Sequence, residues 1–204
     1  MKKEKKIEND NDPIKIILVG ETGVGKTNLI NVFLGNKFGE EYSTLSSSSF
    51  EGEIDYNDKS YKYFIWDTAG QEKFRSVNKI FFRDAKIILV VYAIDNINSF
   101  NNVDFWINYV KENIETDKYI LELVENKNDL FDSRMVMEED ATAAEKKYGI
   151  KLYSTSALTE AEEFQNHVNN LIKDYIKKYL EKGNINDKKS VKIKKVKKKK
   201  KKSC

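Results

Sequence analysis

Apolar positions recur along the chain in two rhythms. Continuous runs at 14–19, 87–94 and 119–124, each bounded by polar or turn-forming residues, predict strands buried on both faces, and 151–154 is a shorter candidate. Between them the period lengthens to that of a helix. Residues 27–34 follow a glycine-punctuated loop, 99–114 place Phe100, Val103, Trp106, Ile107 and Val110 at helical spacing, and 138–148 open on acids, as helix starts prefer. A last helix over about 162–180 gathers Phe164, Val168, Leu171, Ile172, Tyr175 and Leu180 largely on one stripe. Segments 50–56 and 61–66 flank Asn57-Asp58-Lys59 and read as a hairpin. Strands alternating with helices define an α/β class: a mainly parallel six-stranded sheet with one antiparallel edge strand and helices on both faces.

Composition sets the limits of that domain. The 204 residues, 40% of them hydrophobic, suit one globular unit, here 13–181, between a polar, disordered extension at 1–12 and a flexible lysine-dominated tail at 182–204. No apolar run approaches bilayer length and the charged start lacks a signal-peptide core, so a cytoplasmic protein is expected. Lys2 in place of glycine excludes myristoylation. The single cysteine, Cys204, excludes an internal disulfide and a cysteine zinc site; the single histidine, His167, excludes a histidine metal cluster and reads as a helix-surface residue. The net charge is +3, yet 188–202 contain eleven lysines and no acid, which leaves −8 on the rest. An acidic body and a basic tail imply different partners for the two parts, and no nucleic-acid module is recognisable.

The chemistry begins at GETGVGKT, 20–27, which follows the first strand and opens the first helix. It fits the phosphate-loop pattern GxxxxGK[ST], and with it the P-loop NTPase fold. Glycines let such a backbone turn its N–H groups inward, and the helix start favours an anion. Lys26 reaches terminal phosphates and Thr27 can ligate magnesium. Glu21, Thr22, Gly23, Val24, Gly25, Lys26, Thr27 and Asn28 are therefore the candidate phosphate-side residues.

After the third long strand comes Asn126-Lys127-Asn128-Asp129, an NKxD match. A carboxylate there can accept from both N1–H and the 2-amino group of guanine, a donor pair adenine lacks. Ser156, Ala157 and Leu158, after the last strand candidate, either support the guanine oxygen through backbone N–H groups or form an ordinary strand-to-helix turn. Between these motifs lies WDTAGQEKF at 66–74. Asp67 can hold magnesium through water, Gly70 can donate to the third phosphate and Gln71 can orient an attacking water.

GETGVGKT, WDTAGQEKF and NKND in this order resemble a Ras-superfamily small GTPase, and the diagnostic stretches look most like the Rab family. The resemblance covers about 13–180 and includes Phe81-Phe82-Arg83-Asp84-Ala85 and Tyr92-Ala93-Ile94-Asp95; no Rho-type insertion follows NKND and no farnesyl-type ending is present. It implies a GTP/GDP switch with Mg2+, slow hydrolysis of GTP and recruitment of effectors in vesicle traffic. It also implies an exchange factor, a GTPase-activating protein and a prenyl-binding escort as partners of a monomer, with no specific nucleic acid. Phe38 matches the aromatic that stacks on guanine.

The match also frays. The spacing from Thr27 puts Leu45 where a magnesium-binding Thr is expected, whereas counting back from Trp66 gives Thr44. Thr44 is preferred because leucine has no oxygen for a hard cation; otherwise the hairpin is the shortened part and that ligand is missing. Ser46 to Ser49 replace a glycine-containing stretch, Glu125 stands where glycine usually precedes NKxD, and Leu158 stands where lysine usually follows Ser-Ala. A polybasic tail attracts anionic leaflets, and prenylation of Cys204 would complete a peripheral anchor on a cytosolic membrane face. The rival readings are a GTP-binding module that hydrolyses little, a Ras- or Rho-type signalling GTPase, and an ATP-dependent P-loop enzyme.

Overall fold

The computed structural model describes residues 12–39, 49–67 and 81–181. The polar extension up to residue 11 and the tail from 182 lie outside these residues, as do Thr44, Gly70, Gln71 and Cys204.

The first strand, β1 (Ile14–Val19), leads through the glycine loop into α1 (Lys26–Phe33). β2 (Ser49–Tyr56) and β3 (Lys59–Asp67) form the expected hairpin, closed by Asn57 and Asp58 with φ of 50° and 59°. Two successive positive φ values suit the right-handed twist of a two-residue hairpin, and Asn and Asp tolerate them better than most residues. β4 (Ala85–Ala93), α2 (Ile97–Asn101), α3 (Val103–Asn113), β5 (Ile120–Asn126), α4 (Glu138–Tyr148), β6 (Lys151–Ser154) and α5 (Ala161–Tyr175) follow in order. The sheet runs β2-β3-β1-β4-β5-β6; β2 pairs antiparallel with β3 and every other pair is parallel, as the pattern of strands and helices required. Along the β2 edge, Glu51, Glu53 and Asp55 are exposed, and Lys62 of β3 lies 3.4 and 3.9 Å from the first two carboxylates.

Three details depart from the periodic reading. The helix expected over 99–114 is two, because Asn102, at φ −88° and ψ 0°, leaves helical geometry between α2 and α3. Upstream, Asn96 caps α2 by accepting from the Ser99 amide at 3.1 Å. The last helix loses its α form at Tyr175 and continues as a π-helical segment, Ile176–Glu181. His167 is not simply a surface residue: it contacts Glu122, buried on β5, and lies parallel to the Tyr153 ring with centroids 3.5 Å apart. Through these two contacts its ring lies over β5 and β6, at the point where β5 carries an acid.

β1 shows why the sheet is buried on both sides. Ile14, Ile16 and Leu18 pack with Leu29 and Ile30 of α1 and with Phe164, Val168 and Ile172 of α5. Ile17 and Val19 belong to the core on the other face, which Val103, Trp106, Ile107 and Val110 of α3 and Ala141 and Ala144 of α4 share. A strand covered on both faces cannot alternate polar and apolar residues, which is why it reads as an unbroken run. Among the described residues no helix is long and apolar enough to cross a membrane.

Phe164 is fully buried between α5 and the sheet. Phe164→Ala should cost about 3–5 kcal/mol through lost burial and the cavity left behind. Urea unfolding at neutral pH should show this as a lower midpoint with an unchanged slope.

Candidate nucleotide site

The loops that follow β1, β5 and β6, and the end of β3 at Asp67, lie at the carboxyl ends of parallel strands, where α/β sheets bind ligands. Two glycines make the first loop possible. Gly20, at φ 145°, lies so near β4 that a Cβ would stand 2.1 Å from the Val91 carbonyl oxygen, and Gly25, at φ 97°, leaves 2.3 Å between a Cβ and the Asn126 amide nitrogen. Gly25 is also the N-cap of α1 and contributes no side-chain bond, so the helix start is not satisfied by a capping side chain.

Lys26 is buried and donates from Nζ to the Gly20 carbonyl at 2.9 Å and the Glu21 carbonyl at 2.8 Å, spanning the loop it belongs to. Thr27 donates from Oγ1 to Asp67 Oδ2 at 2.8 Å, joining the start of α1 to the end of β3. Two hard oxygens meeting beside a phosphate loop fit a hard divalent cation that also takes phosphate oxygens and water as ligands. Trp106 of α3 donates from Nε1 to Glu21 Oε1 at 3.2 Å and so fixes the loop from the second layer of helices.

The base side is assembled around Asn126, 1% exposed. Its amide nitrogen donates to the Val24 carbonyl at 2.7 Å and its oxygen accepts from the Ala157 amide at 3.2 Å, so one side chain ties three loops together. Lys127 takes a left-handed backbone, φ 63°, and its ammonium pairs with Asp95 at 3.1 Å. Ser156 donates to Asp129 at 2.5 Å, which orients the carboxylate expected to read the base. Asn128 donates to Glu160, which also accepts from the Ser156 amide at 3.2 Å. Phe38, beyond α1, is 46% exposed, and Leu158 is exposed as well. The structure thus brings together Lys26, Thr27, Asp67, Asn126, Asp129, Ser156 and Ala157 of the residues singled out by sequence.

This sheet and loop set define a P-loop nucleotide-binding protein. A family model described as Ras family matches residues 15–180. Ras-related protein Rab-26 of Mus musculus is 40% identical over 147 residues, 71% of this chain and 56% of the relative. Ras-related protein Rab-27B of Rattus norvegicus is 35% identical over 180 residues, 83% of this chain and 82% of that protein. The chain belongs to the Ras family, and its relatives make it Rab-like within that family. It spans only a little over half the length of the Rab-26 relatives.

Glu125, Trp106, Glu160 and Asp95 are contacts that sequence reading left without a role in the site. Glu125 could have been suspected, as a charge in the place of a glycine. It is 4% exposed and engages three partners: Tyr92 donates at 2.7 Å, Ser154 at 2.9 Å, and Arg134 through both terminal nitrogens at 3.2 and 3.1 Å. Burial by itself pushes the Glu125 carboxyl up, but these donors outweigh it and hold the group below the ordinary carboxylate value. The Tyr92 hydroxyl is pushed far up by burial and by its bond to Glu125.

A carboxylate with a depressed folded-state pKa stabilises the fold above the ordinary carboxylate range, and the gain fades as pH falls through the folded-state value. Arg134→Met leaves the buried charge without its cation and should cost about 3–5 kcal/mol near pH 7. Glu125 should then titrate above its ordinary value, so the gap between variant and wild type should narrow by about pH 4. Urea denaturation at both pH values checks the magnitude and the sign.

Proposed function

We propose that the protein is a Rab-like GTP/GDP switch that hydrolyses GTP slowly and, in its GTP state, recruits effectors for vesicle traffic. The reading rests most on one convergence: the Lys26 loop, the Thr27–Asp67 oxygen pair and the Asn126–Asp129 turn lie at the same edge of one sheet. Asp129 would accept from N1–H and the 2-amino group of guanine, and Phe38 would offer a ring face. Adenine presents an acceptor at N1 and no 2-amino group, so the same carboxylate would repel it.

On the phosphate side, Lys26 would exchange its bonds to two loop carbonyls for terminal phosphate oxygens. Thr27 and Asp67, with Thr44, would hold Mg2+, which when bound supplies positive charge to the β- and γ-phosphate oxygens. Gly70 would donate to the third phosphate and Gln71 would orient the water for in-line attack. Transfer of this kind depends on positioning and charge stabilisation rather than covalent chemistry. Of the described arginines, Arg134 is committed to Glu125, and Arg83 precedes β4 at the opposite end of the sheet from the loops. Neither is placed to serve the γ-phosphate, and Arg75 lies outside the described residues; a charge supplied by an activating protein is part of this reading. An exchange factor and a prenyl-binding escort complete the expected partners of a monomeric switch. The lysine tail with a prenylated Cys204 would anchor it to a cytosolic membrane face.

Nucleotide competition on purified protein with magnesium should show GTP and GDP bound in strong preference to ATP, and Asp129→Ala should weaken GTP by at least about a hundredfold. Preference for ATP would overturn the reading. Single-turnover hydrolysis should be slow alone and rise about 10³–10⁵-fold with a Rab-type activating protein. Mass spectrometry of Cys204 in protein from its native cells tests the anchor: an unmodified tail in the membrane fraction would exclude it.

A further inference from the structure

We propose that Glu125 is the positioning residue of the base-reading loops, one buried carboxylate that fixes both chain segments from which Asp129 is aimed; this rests on the guanine reading above. Glu125 stands in register between Tyr92 of β4 and Ser154 of β5's other neighbour, β6, so its side chain reaches a strand on either side.

One arm holds the segment that carries Ser156. Ser154 Oγ donates to Glu125 Oε1 at 2.9 Å and the Thr155 amide donates to the Glu125 carbonyl at 2.8 Å. Two residues on, Ser156 donates to Asp129, and the Asn128 amide donates back to the Thr155 carbonyl at 3.2 Å. The second arm holds the return of the Asp129 segment, a 3-10 turn over Asn128–Ser133. Arg134, the residue after it, is gripped by both oxygens of Glu125 and donates to the Val136 carbonyl at 3.1 Å. The Met135 and Val136 amides then donate to the Ile94 carbonyl at 2.7 and 3.2 Å, while the Ile94 amide donates to the Asn126 carbonyl at 3.1 Å. Asp129 therefore lies on a short arc that starts one residue after Glu125, ends at the Arg134 its carboxylate grips, and meets an orienting serine two residues beyond the Ser154 bonded to that carboxylate.

Stability alone does not account for such a group. A buried ion pair gains little over well-packed apolar residues of similar volume, because desolvation offsets the attraction. What it adds is direction: two oxygens accepting from guanidinium, phenol and hydroxyl donors admit one arrangement of three chain segments, where an apolar contact admits several.

The test compares GDP with inosine diphosphate, which keeps N1–H but lacks the 2-amino donor that Asp129 accepts. Both affinities are measured on the full chain with magnesium, together with melting temperature. Glu125→Gln should lower the GDP:IDP affinity ratio by about 5–10-fold, and Ser154→Ala, which removes the side-chain bond of one arm and leaves its backbone bond and the Arg134 pair, by about 2–5-fold. A purely structural role would weaken both nucleotides together, in step with melting temperature. A ratio unchanged in folded variants overturns the proposal; should Glu125→Gln fail to fold, the Ser154→Ala ratio decides. Wild-type protein that binds neither nucleotide would instead overturn the guanine reading itself, a result distinguishable from the first.

Discussion

The site depends on the carboxamide of Asn126. It is a buried group with one donor and one acceptor face in use, and each face closes on a different loop: the phosphate loop at Val24 and the last strand-to-helix loop at Ala157. Buried amides are costly unless both faces are satisfied, so the three loops are constrained to form together. Gly25 shares the constraint, because only a residue without a Cβ lets the phosphate loop approach that amide. Lys26 and Thr27 follow directly, and their bonds to the loop carbonyls and to Asp67 bring the end of β3 into the same assembly.

Much of the fold was legible because both periods were clean. β1, α4 and β6 fall at their expected bounds, and the hairpin turn lies where two residues that tolerate positive φ occur together. The apolar run places the end of β5 at Val124, yet the strand runs on through Glu125 to Asn126. Glu125 carries no apolar signal of its own; Arg134, Tyr92 and Ser154, distant along the chain, make an acid possible inside a sheet covered on both faces. The Glu122–His167 contact likewise joins residues of separate elements, β5 and α5. Helix ends were misjudged for a related reason, since Asn102 interrupts a stripe whose apolar spacing carries on regardless.

The site was legible in its motifs and not in its supports. GETGVGKT and NKND announce residue types at fixed offsets, and these converge as the spacing required. Trp106 holding Glu21, Asp95 pairing with Lys127 and Glu160 receiving Asn128 join residues from separate elements. No local pattern encodes such pairs, because each is a property of how elements pack rather than of how one element repeats. β5 consequently carries both kinds of information: a motif at its end and, one residue earlier, an acid whose meaning appears only in three dimensions.

Among the described residues no strand pairs with the outer side of β2, which bears on the behaviour of the chain in crowded solution. An edge strand offers unpaired backbone groups to any other strand, a second copy of the same sequence included. Here Glu51, Glu53 and Asp55 lie exposed along that edge, with Lys62 near only the first two. Two such edges meeting would set carboxylates against carboxylates, which disfavours pairing at close range. The acidic rim thus protects the sheet from lengthening into an intermolecular one.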